Sequence, residues 1–543
     1  MNNLEYVIFY LLFFLFGGTF FRIIFREKNL KKQILSTSQY IFYPIVGVSI
    51  LSFIVFFLNL FLPIEEIKNI LIIIVVTISL LNLKQLADLL KDLFFLINYL
   101  IIPLIISISS YKIKFHYDSE AYHLTTQALI LQSKLTFGSA KFFIWQGHSS
   151  LYEYIQTLLS FDGNFIYQHY LNLLFFNVLI NFICYHIIFK KNIYFYNLSL
   201  FVLIFGILDN FGIGGGSNGF LEIQMVGKPD IAVGVMYFII SIFAIFGIYK
   251  QNLTEKELLL LTIFFTFLIQ VRVTSLSLIL LLFPLVIRNT KNFKIVMKSK
   301  LFIWLVLYNL LWIFKNIATS SCIFFPLKQS CLNFLPWNLE SNFVALTKGY
   351  EEWGLSYKFN SSPLTFFSEW FNLGYNYQQV PNLLISLSVL LFLRFLIMKK
   401  HKGNNLYLYF CLILIFLLNL YFTFHIRYLF GYILLIVSVI PFNTEIKKKF
   451  KKFENKYIFY LLIIVLSVGI PRGYSYNYLF DNLNYYELNI EYGDWMYKKN
   501  PDGYGYIGYQ NKCFDIYNCS TFLTSNTKSI ELYKIFGNYK MFK

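Results

Sequence analysis

Charge is scarce along this chain. Acidic and basic residues together make up 14% of its 543 positions, against about 25% in a soluble domain. Hydrophobic residues make up 57% and the mean hydropathy is +0.59. That leaves too few polar groups to cover an apolar interior in water. A soluble enzyme and a disordered protein are excluded. Cysteine is rare as well, with six in all, which excludes a secreted scaffold built on disulfides. No internal repeat is visible. The start, Met1-Asn2-Asn3-Leu4-Glu5, has neither a basic leader nor a small-residue cleavage site. The first apolar run is therefore expected to be a retained helix.

Long apolar runs fill the rest. A helix needs about 20 apolar residues to cross a bilayer. Runs at 4–25, 39–62, 67–83, 93–111, 167–189, 193–208, 230–249, 257–271, 274–288, 301–317, 382–398, 406–424, 427–442 and 457–471 meet or approach that length. The expected fold is an all-α polytopic membrane protein with about fourteen transmembrane helices.

Basic residues exceed acidic ones by 46 − 28 = 18. In a soluble protein such an excess suggests nucleic acid. Here the basic residues form short clusters between apolar runs: Arg26–Lys32, Lys84–Lys91, Lys190–Lys191, Lys250–Lys256, Arg288–Lys300, Lys399–Lys402 and Lys447–Lys456. They occupy every second connection, so they are read as topology signals, and no nucleic acid partner is expected. The positive-inside rule assigns them to the cytoplasm. The N-terminus and the loops 112–166, 209–229 and 316–381, with the tail 472–543, then fall on the extracytoplasmic side. These long segments hold most of the polar residues, so chemistry is expected there. The organisation reads as N-terminal membrane helices (1–111), a membrane core (112–442), a last cytoplasmic loop and helix (443–471), and an outer C-terminal segment (472–543).

Cys184 and Cys411 lie in expected spans, as packing residues. Cys322–Cys331 and Cys513–Cys519 are close pairs on the oxidising side and are expected disulfides. Zinc is the weaker reading, because no histidine stands at ligand spacing near either pair.

The densest chemistry is Phe115-His116-Tyr117-Asp118-Ser119-Glu120-Ala121-Tyr122-His123-Leu124, directly after the fourth run. Asp118 or Ser119 can cap the following helix, with Glu120 at its positive end. Equally, a carboxylate at the membrane boundary can act as general base or bind a divalent cation at a phosphate. Spacing alone leaves both readings open.

An acidic D-x-E element followed by Ala-Tyr-His, in the first large outer loop, resembles the GT-C superfamily of polytopic glycosyltransferases. The chain is more specifically similar to a group of bacterial membrane proteins whose loop begins Y-D-[ST]-x-x-Y-H, here Tyr117 to His123. Gly227-Lys228-Pro229-Asp230, the stretch Asn316 to Pro326 with Pro336-Trp337, and His425-Ile426-Arg427-Tyr428 have counterparts in that group, in the same order. Lys315-Asn316 stands where the group has Arg-Asn.

The resemblance implies an enzyme of the bacterial inner membrane. It would move a sugar from a polyprenyl-phosphate donor to an envelope glycan, lipid or protein acceptor on the extracytoplasmic face, with inversion. Asp118, with Glu120 second, would be the catalytic carboxylate, acting either as base or as ligand of a magnesium or manganese ion. No cofactor beyond that ion is implied.

Other residues carry two readings each. Gly214–Gly219 lacks the G-K-[ST] ending of a P-loop and is either a flexible loop or a phosphate-covering lid. Lys228 either pairs with Asp230 or holds the donor phosphate. Arg272 and Arg427, beside His425, sit at membrane boundaries. There an arginine either snorkels or meets an anionic partner, and its fork suits phosphate. Tyr122, His123, Lys228, Arg272, His425 and Arg427 are the candidate substrate contacts. His148, with Ser149-Ser150, reads first as a helix cap, near Trp145 and Glu153. Trp337, Trp353 and Trp370 read as interface anchors. The rival functions are a transporter or flippase of lipid-linked glycans, and a polysaccharide polymerase.

Overall fold

A computed structural model of the chain describes residues 2–25, 38–83, 86, 89, 91–112, 114–115, 123–142, 144–148, 150–160, 165–189, 192–211, 225–250, 252–325, 327–339, 363–372, 374–400, 406–422, 426–447, 456–469, 532–535 and 539–542. Among these, helix dominates. Each apolar run expected to span is helical over most of its length.

Seven helices are long and apolar enough to cross a membrane: Asn3–Phe25, Tyr40–Asn59, Leu93–Ser110, Ile166–Phe189, Asp230–Tyr249, Lys300–Ser320 and Gln379–Ile397. An eighth is counted if Val273–Arg288 and Thr290–Met297 are taken together across a 103° bend. The chain is therefore an all-α, multi-pass membrane protein. The difference from fourteen is one of length. The helices Ile64–Leu80 and Glu255–Val271 have 17 residues each. At ~1.5 Å per residue they fall somewhat short of a ~30 Å hydrocarbon core. The basic connection Arg288–Lys300 is itself partly helical, over Thr290–Met297.

In lipid an unbonded backbone donor is costly, and the polar residues at helix starts answer that need. Thr254 and Glu257 form a reciprocal capping box. The Asp92 carboxylate accepts from the Phe94 and Phe95 amides, and Ser299 accepts from the Phe302 amide.

Ile166–Phe189 and Asp230–Tyr249 are buried along nearly all their length and form the centre. Lys300–Ser320 and Gln379–Ile397 are peripheral and turn Trp304, Phe314, Phe392 and Phe395 outward. Such an apolar outer surface suits lipid. At the centre, Asp230–Tyr249 meets the segment Ile426–Val439 through facing glycines. A Cβ on Gly234 would stand 2.1 Å from the Phe430 ring, and one on Gly431 would stand 2.9 Å from the Gly234 carbonyl oxygen. Only glycine permits that approach. Asp230 lies one turn before Gly234 and Arg427 one turn before Gly431, so the contact also brings those two residues together.

Two short ladders tie loops across the bundle. Lys114–Phe115 pairs in parallel with Met225–Val226, and Met398–Lys400 pairs antiparallel with Thr444–Ile446. Lys250 bonds Asn443 near the second ladder. In the tail, Leu532–Ile535 and Tyr539–Phe542 form a hairpin. Cys322 and Cys331 are disulfide-bonded. The expected Cys513–Cys519 pair lies outside the described residues.

Candidate functional site

Asp230 opens its helix with Pro229 as the preceding cap residue. Its Oδ1 accepts from Arg272 Nη2 at 2.5 Å, and its Oδ2 lies 4.0 Å from Arg427 Nε. Arg272 stands at the C-terminal end of Glu255–Val271, and Arg427 in the turn that opens Ile426–Val439. Three separate segments thus converge on one carboxylate. Tyr428 completes the group. Its ring lies 4.9 Å from the Arg272 guanidinium carbon and 4.8 Å from that of Arg427, and its hydroxyl accepts from Arg427 Nη2 at 2.8 Å. Arginine over an aromatic face is attractive in itself. Lys228 is buried two residues before Asp230 and lies within electrostatic reach of it. The described charges here are three cations and one anion.

A second cluster lies on the short helix Leu151–Leu158. Ser150 caps that helix in a capping box with Glu153, so the cap expected within His148-Ser149-Ser150 is provided by Ser150. Glu153 is buried. Its Oε2 accepts from the Ser150 amide at 3.1 Å, while its Oε1 meets His123 Nδ1 at 2.8 Å. Lys315, buried near the end of Lys300–Ser320, feels the Glu153 charge, and His148 feels both His123 and Lys315. Desolvation by the packed Phe325 ring, with His123 and Lys315 as positive neighbours, lowers the His148 pKa, while the residue keeps an exposed face. The His148 ring packs edge-on against Phe325 at 4.6 Å.

The Cys322–Cys331 bridge closes the loop that carries Phe325, whose ring fills the space that a side chain on Gly147 would need. Trp337 donates from Nε1 to the Ile317 carbonyl oxygen at 2.8 Å and fastens the same loop to its helix.

Tyr152, the residue before Glu153, joins the two clusters. It is fully buried, bonds Asn172 at 2.5 Å, and feels the charge of Asp230. Burial first, and that carboxylate second, hold its phenol well above the usual range. Adjacent residues on one helix point about 100° apart, so the clusters flank a single helix of ~10 Å diameter.

Of the residues expected to carry function, Arg272, Arg427 and Lys228 gather around Asp230, and His123 belongs to the Glu153 cluster. Asp118, Glu120, Tyr122 and His425 lie outside the described residues, as do Gly214–Gly219 and Trp353. Arg272, not Lys228, makes the close ion pair with Asp230. Glu153, Lys315 and Tyr428 were named from sequence without a site role, and Tyr152 and the central place of Asp230 were not singled out. Lys315 did carry a signal, as a charge near the end of an otherwise apolar run.

Among the described residues no group of three or more histidine, cysteine, aspartate or glutamate side chains forms a cation site. Asp230 is flanked by guanidiniums that would repel a divalent ion. These residues do not fit a metal.

The long buried helices and the charged clusters at their ends define a multi-pass helical membrane protein with a polar site. By sequence the chain belongs to a family described as a domain of unknown function (DUF8201), which matches residues 3–434. Both clusters lie within that match. No curated protein matches the chain, and neither does any solved structure.

Proposed function

We propose that the chain is a membrane glycosyltransferase of GT-C type. It transfers a sugar from a polyprenyl-phosphate donor to an envelope glycan, lipid or protein acceptor on the extracytoplasmic face of the bacterial inner membrane. The shorter helices complete the crossings, about fourteen in all. The reading is supported first by the cluster of Lys228, Arg272 and Arg427 around Asp230. Guanidiniums suit phosphate, and a lipid phosphate carries its charge at the ends of membrane helices. The parallel pairing of Phe115 with Val226 adds support, because it sets the strand leading toward Asp118 beside the strand leading toward Lys228.

The step is a single displacement. Asp118 takes the proton of an acceptor hydroxyl. The acceptor oxygen bonds to the anomeric carbon as the bond from that carbon to the phosphate oxygen breaks. Polyprenyl phosphate leaves with the electron pair, and the anomeric configuration inverts. Arg272, Arg427 and Lys228 stabilise the departing charge, as preorganised cations do. No step is routed through a metal.

The test supplies membranes containing the protein with polyprenyl-phosphate-linked hexoses and measures release of polyprenyl phosphate. Release with wild type and its loss in Arg427→Gln support the reading. Equal release from membranes without the protein overturns it.

A further inference from the structure

Away from the charged site, the helices Asn2–Phe25, Leu93–Ser110 and Ile166–Phe189 enclose a set of buried polar side chains. Tyr6, Tyr10, Tyr99, Asn177 and Asn181 are all completely buried. Their rings and amides lie side by side. Tyr6 is 6.2 Å from Tyr10, Tyr10 is 5.6 Å from Tyr99, and Asn181 Nδ2 donates to the Tyr10 hydroxyl at 2.8 Å.

That bond is one of few. The Tyr6 hydroxyl, the Tyr99 hydroxyl, both amide atoms of Asn177 and Oδ1 of Asn181 reach no hydrogen-bond partner. Asn177 lies beside the Tyr10 hydroxyl and Asn181 beside the Tyr99 hydroxyl, yet neither of these two contacts is in bonding geometry for the orphaned atoms. Buried polar atoms are rarely left unbonded, and a cluster of orphans points to ordered water or a ligand.

The chemistry of the orphans selects the occupant. Asn177 Nδ2 must donate, Asn177 Oδ1 and Asn181 Oδ1 must accept, and the phenols can do either. No charged side chain belongs to the set. A cation would leave the donor unbonded, and an anion would repel the two amide oxygens. A small neutral molecule that both donates and accepts meets every demand.

We propose that this buried polar set is a water-binding site, holding an ordered cluster hydrogen-bonded to Tyr6, Tyr10, Tyr99, Asn177 and Asn181. The cluster sits in the membrane interior. Asn177 lies about a turn and a half along its helix from Asn172, the partner of Tyr152. The water therefore lies beneath the polar site and softens the packing of the first helix against the core. Nothing in this depends on the glycosyltransferase reading.

Radiolytic hydroxyl labelling of the protein in nanodiscs tests it, because radicals formed from bound water oxidise buried neighbours. The dry reference is Tyr194, which is also buried and whose hydroxyl donates to the Ile242 carbonyl oxygen. Oxidation of Tyr6, Tyr10 and Tyr99 several-fold faster than Tyr194 is the expected result. Asn177→Leu, which replaces the amide's donor and acceptor with carbon, should then bring Tyr6 and Tyr10 down to the Tyr194 rate. Labelling of the three tyrosines no faster than Tyr194 in wild type overturns the proposal, whether or not the variant folds. Fast labelling that Asn177→Leu leaves unchanged in a folded variant also overturns it, since the water then lies elsewhere.

Discussion

Replacing Asp230 with asparagine keeps the shape of the site and removes its one described negative charge. The carboxylate accepts a 2.5 Å bond from Arg272 and lies 4.0 Å from Arg427. A hydrogen bond to a charged group contributes ~1.5–3 kcal/mol net. At 4 Å the second pairing has a gross attraction of ~4 kcal/mol at an effective dielectric of 20, much of it offset by desolvation. The Asp230 and Arg272 side chains keep 18% and 19% of their surface exposed, which discounts the figure further. The net loss for Asp230→Asn is then about 3 kcal/mol. Part of it is repulsion between two guanidiniums that still share the Tyr428 face.

A double-mutant cycle with Arg272→Met isolates the pair. Denaturation of protein in detergent, followed for wild type, both single variants and the double, should give a coupling of roughly 2 kcal/mol. The double variant should be more stable than the sum of its parts. Strict additivity would mean that Asp230 and Arg272 do not meet, and the three-way convergence at the site would be refuted.

Other consequences can be measured with the same preparation. His148 has its pKa lowered from 6.5, so the unfolded chain binds its proton first. Its contribution to stability is complete above pH 6.5 and is lost as the pH falls below it. His148→Gln should flatten the thermal-stability profile in that window, and an unchanged slope would count against a neutral His148. Gly431→Ala sets a methyl against the Gly234 backbone and should cost roughly 1–3 kcal/mol. The same variant should lower affinity for polyprenyl phosphate by moving Arg427, as read by a lipid-binding titration. Cys322→Ser should lower stability by about 2–3 kcal/mol and reduce the sensitivity of the melting temperature to reductant.

The bundle was legible because bilayer thickness fixes run length, and runs such as 167–189 and 230–249 coincide with helices to within a residue. The span number was harder to read, because a 17-residue helix such as Glu255–Val271 stands at the margin. Arg272 could be expected to seek an anion, but not which one. Asp230 is 42 positions away, and only the packing that Gly234 and Gly431 permit brings Arg427 to the same carboxylate. Glu153 was concealed by its own spacing. Ser150-x-x-Glu153 is the signature of a capping box, and the box does form, yet the second carboxylate oxygen also holds His123. Tyr152 gave no signal in a chain with 42 tyrosines, and Tyr428 entered only as the last residue of the His425–Tyr428 element.

The central claim is that the chain transfers sugar with Asp118 as base, and complementation tests it most directly. Wild type and Asp118→Asn would be expressed at matched membrane abundance in a deletion strain, with surface glycan mass as the readout. Glycosyl transfer requires that wild type restore the glycan and that the variant fail while remaining folded in the membrane. Full restoration by Asp118→Asn would contradict the account, leaving Asp118 a helix cap and moving transport of a lipid-linked glycan to the front.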